Sequence, residues 1–363
     1  MVTVLLCTYN GAAYVRAQLQ SILDQTVQDL HVVVSDDGST DETPAIVEAM
    51  AAENPGRITI LRQDPPTGSA ERHFLKLLVE RAYDVPGSTA TTAVDTDSAQ
   101  RDINDVTSAP GQRSADEALV RADYIMLSDQ DDVWLPDKVE KTLARMQADE
   151  AACRVAGETH ASILVHCDSR IVDRALREIA PSFVAYQKMT PSRAKLQQLL
   201  VQNNVVGGAL MMNRALAERI TEIPAHCVMH DQWIALVASA FGHIDFVPES
   251  LYLYRQHGDN VLGAGKGSRI MEILGRFGIG RKDGKTKAEM DAHSQSVYRE
   301  MFLQAESFRR CFDAELSTKQ KHLLDEFTAI PKRSRLGKIC TILRYGFTYN
   351  LFHRTVGECL FIQ

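Results

Sequence analysis

Val2-Thr3-Val4-Leu5-Leu6-Cys7-Thr8-Tyr9-Asn10-Gly11 decides how the rest of the chain reads. A short apolar run that stops abruptly at polar residues is the pattern of a strand buried on both faces. The run has no basic leader and no small-residue cleavage site, so it reads as a first strand and not as a signal peptide. Working outward, 13–23 carries Val15, Leu19, Ile22 and Leu23 at helical spacing. A second buried strand over 30–34 is closed by Ser35-Asp36-Asp37-Gly38-Ser39. A helix over 43–52, a strand over 58–61, a helix over 70–82 and a strand over 124–127 follow, the last ending at Ser128-Asp129-Gln130-Asp131-Asp132. Strands alternating with helices of this length predict an α/β fold, a mostly parallel sheet with helices on both faces. Ligands collect beyond the carboxyl ends of such strands. The polar clusters follow strands one, two and four, at those ends.

The 363 residues are 45% apolar and 24% charged, which is enough for a sizeable core. A net charge of −7 argues against a nucleic-acid binder across the whole chain. The seven cysteines are scattered without a C-x-x-C pair, so neither a disulfide framework nor a zinc site is indicated. No run of eighteen apolar residues occurs, and a cytoplasmic protein is expected. One stretch breaks the rhythm. Residues 84–120 hold seven acids, two arginines and almost no large apolar side chains. Such a segment cannot offset its chain entropy by burial and reads as a disordered insertion.

Each polar cluster has a bland reading and a chemical one. Asp36-Asp37-Gly38-Ser39-Thr40-Asp41 suits an acidic turn, or a carboxylate that accepts the N3–H of a pyrimidine. Asp129-Gln130-Asp131-Asp132 places three carboxylates in four positions, and these repel unless a cation or solvent relieves them. At a strand end they suit a hard divalent ion whose shell is completed by phosphate oxygens. Asp231, ahead of the apolar run 234–240, is either a favourable charge at a helix start or a catalytic carboxylate. His257 stands in Tyr254-Arg255-Gln256-His257-Gly258-Asp259-Asn260, where a lone histidine is as readily a surface residue.

Their order and spacing are more specific than any one of them. Residues 4–11, 32–41, 129–134, 230–233 and 254–260 together resemble the family 2 glycosyltransferases of GT-A (Rossmann-like) fold, in the bacterial rhamnosyltransferase-type branch. The resemblance covers 2–262. It implies a catalytic unit over 1–262 and leaves a helical extension over 263–363. It also implies an inverting transfer of a sugar from a UDP- or dTDP-sugar to a saccharide or lipid-linked saccharide, in cell-surface polysaccharide synthesis, with Mg²⁺ or Mn²⁺ as cofactor. By the same resemblance Thr8, Tyr9, Asn10, Asp36, Asp37, Arg72, Asp129 and Gln130 bind the nucleotide sugar. Asp131 holds the metal, with His257 as an added ligand, and Asp231 is the general base. Trp134, Asn204, Gly208, His230 and Arg255 are carried over as acceptor or phosphate contacts. Metal-dependent nucleotidyl transfer is disfavoured because no Lys or Arg precedes Arg16. An inactive nucleotide-sugar scaffold is disfavoured by the presence of both Asp131 and Asp231.

After Gly263 the pattern turns helical, with helices expected over 288–312 and 318–327. From Pro331 onward six Lys or Arg face one Glu, mixed with Ile339, Ile342, Leu343, Tyr345, Phe347, Leu351 and Phe352. This segment either lies on an anionic membrane surface or packs on the catalytic unit or a second subunit.

Overall fold

The computed structural model describes residues 1–86, 119–256, 287–351 and 355. The opening run is β1 (Val2–Thr8), buried along its whole length. It is followed by α1 (Val15–Leu23), β2 (Leu30–Asp36), α2 (Thr43–Glu53), β3 (Ile58–Arg62) and α3 (Ala70–Val79). The segment expected to be disordered lies mostly outside the described residues. Its two ends pair as β4 (Val85–Pro86) and β5 (Leu119–Val120). Then come β6 (Tyr124–Ser128), β7 (Val133–Trp134), α4 (Lys138–Ala156), β8 (Ser162–Val172), β9 (Glu178–Ala180), α5 (Phe183–Gln187) and α6 (Leu196–Leu199). The sheet region closes with β10 (Leu210–Asn213), α7 (Arg214–Arg219), α8 (His230–Phe241) and β11 (Gly242–Arg255).

One nine-stranded sheet runs in the order β3-β2-β1-β6-β10-β8-β11-β7, with β9 paired to β8. Strands β1, β2, β3, β6, β8 and β11 share one direction, and β7, β9 and β10 oppose them. The sheet is therefore mixed and mostly parallel, flanked by helices, as expected. Successive side chains of a strand point to opposite faces, and β1 divides accordingly. Val2, Val4 and Leu6 pack with Leu19 and Ile22 of α1, Met50 of α2 and Met146 of α4. Leu5 and Cys7 join the other core, with Phe74 of α3, Leu199 of α6 and Trp233 of α8.

The second core does not end with the sheet. Helices α9 (Lys287–Cys311) and α10 (Thr318–Thr328) lie near the expected positions, and α11 (Arg335–Tyr345) follows within the basic segment. Phe308 meets Trp233 edge-on at 5.4 Å, and Phe302, Phe327 and Phe347 continue the aromatic packing. Ile342 and Phe347 are fully buried, whereas Leu336 and Leu343 are 76% and 62% exposed. The tail thus packs one face on the catalytic core and turns a second face outward. No described helix is long and apolar enough to cross a membrane.

Candidate functional site

Parallel register assembles the site. Thr8 pairs with Asp36 across β1 and β2, and Leu6 pairs with Ser128 across β1 and β6, so three polar loops leave the sheet side by side. The first two are laced together. Asp36 accepts from the Thr8 hydroxyl at 2.8 Å, from the Ser39 N–H at 2.8 Å and from the Ser39 hydroxyl at 2.5 Å. The Asn10 N–H donates to Ser39 Oγ, and Asn10 Oδ1 accepts from the Thr40 N–H. Asp37 accepts from the Thr67 N–H, the Thr67 hydroxyl and the Gly68 N–H, which fixes the 67–68 turn beside it. Gln130 clamps the third loop to the first: its Oε1 accepts from the Tyr9 N–H at 2.9 Å, and its Nε2 donates to the Tyr9 carbonyl at 2.8 Å. A Cβ at Gly11 would sit 2.1 Å from that amide, so the clamp needs glycine there. Tyr9 itself remains 58% exposed.

The acidic loop lies at the centre. Antiparallel pairing of Trp134 with Tyr252 folds β7 back along β11 and brings Arg255 against it. The Arg255 N–H donates to Asp132 at 3.0 Å, and its Nε donates to the Asp131 carbonyl at 2.7 Å. Burial, then the neighbouring Asp131 and Asp231 charges, push the Asp129 carboxyl up to about 7. Burial and the same crowding push Asp132 well above its ordinary range. Lys138 opposes them from beneath. Fully buried at the start of α4, its Nζ donates to the Gly208 carbonyl at 2.5 Å and lies 3.5 Å from the Trp134 ring centroid. Burial draws this ammonium down to about 8, against the pull of nearby Cys167, Asp132 and Asp129. Gly208 packs where a Cβ would approach Asp132 Oδ2 at 3.3 Å and Asp129 Oδ2 at 3.5 Å.

Asp231 opens α8 and completes the cluster. Its Oδ1 accepts from Asn203 Nδ2 at 3.0 Å and its Oδ2 from the Gly207 N–H at 3.1 Å. Burial pushes its carboxyl up to about 6, although the Gln232 and Gly207 N–H groups pull the other way.

Three of the residues expected at the acceptor or phosphates have partners inside the protein. Trp134 is 3% exposed and serves as the face on which Lys138 rests. His230 is buried with its ring 4.3 Å from that of Phe74, and burial holds it neutral with a pKa of about 3. Asn204 is 2% exposed and is spent on the Arg193 carbonyl and on Asn350; its neighbour Asn203 is the residue that reaches Asp231. Arg72 is exposed on the first turn of α3, and the next residue, His73, is the one turned inward, with Nε2 2.8 Å from Ser35 Oγ. His257 lies outside the described residues.

Sequence reasoning passed over Lys138, Asn203, Gly207 and His73. One signal was available for Lys138, because a basic residue at a helix N-terminus opposes the dipole and calls for a specific partner. Among the described residues, no three His, Cys, Asp or Glu side chains form a metal cage. Among the described residues, the carboxyl groups of Asp129, Asp131, Asp132 and Asp231 nevertheless outnumber their cationic neighbours Lys138 and Arg255. Such a surplus fits a hard divalent ion shared with phosphate oxygens.

A mixed, mostly parallel α/β sheet defines a class of protein in which ligands bind beyond the carboxyl ends of the strands, where the polar and acidic loops lie. The sequence is more specific: residues 3–71 match the family model described as glycosyl transferase family 2. The chain is 28% identical over 148 residues to the dTDP-rhamnosyl transferase RfbG of Shigella flexneri, covering 41% of this chain and 39% of that protein. It is 22% identical over 285 residues to an uncharacterized glycosyltransferase of Nostoc, covering 77% and 72%. The chain thus spans well under half of RfbG, and 11% of the chondroitin synthase of Escherichia coli, to which it is 34% identical over 77 residues. Among solved structures it aligns with S. aureus TarS bound to UDP-GlcNAc at 14% identity and a TM-score of 0.48, covering 95% of this chain and 80% of that one. The mannosyltransferase PcManGT of Pyrobaculum calidifontis, with GDP-Man and Mn²⁺, aligns at 17% identity and 0.45, covering 100% and 87%. Likenesses this distant carry no argument about individual residues.

Proposed function

We propose that the protein is an inverting glycosyltransferase that moves a sugar from a UDP- or dTDP-sugar to an acceptor hydroxyl in bacterial cell-surface polysaccharide synthesis. The observation that carries this reading is Asp231. It stands at the start of α8, oriented by Asn203 and the Gly207 N–H, and close enough to Asp129 to raise that carboxyl. A carboxylate at about pKa 6 is ionised at neutral pH and basic enough to take a hydroxyl proton. As the acceptor oxygen bonds to the anomeric carbon, its proton passes to Asp231. The bond from that carbon to the nucleoside diphosphate breaks, and the electron pair leaves with the diphosphate. One displacement inverts the centre without a covalent intermediate.

Tyr9 and the Asn10 turn would receive the nucleoside, with Asp37 toward the base and Asp129 toward the sugar. Asp131 would hold Mg²⁺ or Mn²⁺, which supplies a counter-charge for the departing diphosphate. The RfbG likeness favours rhamnose as the sugar. We also infer a peripheral contact with an anionic membrane, supported by exposed Leu336 and Leu343 beside Lys332, Arg335 and Arg344. The test of the reaction is a panel of UDP- and dTDP-sugars, with release of nucleoside diphosphate as readout. Asp231→Asn should leave nucleoside diphosphate affinity within a few-fold of wild type and lower the rate roughly 10²–10⁴-fold. Loss of affinity in step with the rate would make Asp231 a donor-site residue and overturn its role as base.

A further inference from the structure

Three turns of chain from different parts of the sequence meet behind Asp231. Asn203 holds the carboxylate, and its amide is itself pinned to the Val205 backbone, with Nδ2 2.8 Å from the carbonyl and Oδ1 3.0 Å from the N–H. The next residue, Asn204, points the other way. Its Nδ2 donates to the Arg193 carbonyl at 3.0 Å, and its Oδ1 accepts from Asn350 Nδ2 at 2.5 Å. The Asn350 N–H donates to Gln202 Oε1 at 2.9 Å. The Arg193 guanidinium in turn donates to the Thr348 carbonyl at 2.5 Å and to the Thr348 hydroxyl oxygen at 2.7 Å. A polar loop of this kind is ordinarily the most mobile part of a site. Here residues 193–204 are tied to 348–350 at both ends.

The tie is built into the fold. Helix α11 ends at Gly346, whose φ of 74° is the left-handed turn that glycine adopts without strain. Both the Gly346 and Phe347 N–H groups close on the Ile342 carbonyl. This turn drives Phe347 into the core against Phe327, 4.9 Å between centroids, and delivers Thr348 to Asn350 onto the loop. Residues 347–350 are therefore anchored by the burial of Phe347 on one side and spend polar groups of Thr348 and Asn350 on 193–204 on the other.

We propose that Thr348 and Asn350 are positioning residues for Asp231, so that the tail beyond α11 is part of the transfer site and not an appended module. The inference rests on the reading of Asp231 as the base. A base that drifts by about 1 Å loses on the order of 10²-fold in rate without changing how the donor is held. The donor loops belong to β1, β2 and β6, and the bonds between 193–204 and 348–350 do not involve them.

The test uses the full chain, with release of nucleoside diphosphate from the turned-over nucleotide sugar as the rate and calorimetric binding of UDP or dTDP as the donor-side readout. Asn350→Ala and Thr348→Val should each lower the rate about 10- to 100-fold with diphosphate binding unchanged. Thr348→Ser, which keeps the acceptor oxygen, should recover most of the rate. In an Asp231→Asn background the same changes should cost little more, because the group they position has already lost its function. An equal fold-loss in both backgrounds would overturn the proposal, as would weakened UDP or dTDP binding in step with the rate. Should Asn350→Ala fail to fold, the contrast between Thr348→Val and Thr348→Ser decides. If Asp231→Asn alone leaves the rate unchanged, the reading of the base has failed instead.

Discussion

A carboxyl group in the first turn of a helix is ordinarily stabilised in its charged form by the dipole. Asp231 moves the other way, to about 6, because burial outweighs the backbone N–H groups that face it. The sign of the consequence follows directly. A base must be ionised, so turnover should rise with pH through about 6 and level off above it. At pH 5 roughly a tenth of the sites would carry the charge. A rate profile measured at saturating donor should show that limb. A flat profile down to pH 4.5 would place the proton elsewhere. Lys138 is the complementary case, a cation kept in the interior by the Trp134 and Tyr252 rings and the Gly208 carbonyl. Its place at a helix start, against the dipole, was the one sign of it in the sequence, and that sign does not say the charge is buried.

The strands differ in how openly they declare themselves. β1, β2 and β6 are buried apolar runs that stop at polar residues, so both their existence and the position of the site at their ends could be read directly. β8 and β11 could not. β8 carries His166, Asp168, Ser169 and Arg170 among its apolar residues, and β11 contains Pro248, which denies it the look of a strand. The structure accommodates that proline at an irregularity where the β8 register shifts between Val247 and Ser250. The pairing of β7 with β11 was equally hidden, and it is what sets Arg255 against the acidic loop. The start of β11 has no such slack. A Cβ at Gly242 would lie 2.1 Å from the Ser162 carbonyl oxygen and 2.6 Å from its nitrogen, and backbone cannot move aside as a side chain end can. Gly242→Ala should therefore cost about 1–3 kcal/mol in urea unfolding, with the acidic loop otherwise intact. No measurable loss would mean that the strand ends shift freely.

The tail carried two readings in the sequence; the structure shows the packed face of α11, and its exposed face is where the proposed membrane contact would lie. Ile342 on α11, and Phe347 just past it, are fully buried, so removing the segment would open the core along with any outer contact. Burial of one such side chain is worth about 1.5–3 kcal/mol, a large share of the 5–15 kcal/mol that typically holds a domain. Substitution on the outer face separates the two. The double change Leu336→Ser, Leu343→Ser should leave the melting temperature near wild type and reduce co-sedimentation with anionic vesicles at low salt. Unchanged sedimentation would remove this face from the membrane reading. The inner face bears on how the molecule is made. Leu5 and Phe347 belong to a single apolar core, so α3, α6 and α8 cover that face of the sheet only in part until α9 to α11 have emerged. Until then Trp233, which packs on Phe308 and Phe312, presents an adhesive surface to the cell. Folding that waits on contacts so distant in the chain is slow and cooperative, and the nascent protein would lean on chaperones for most of its translation.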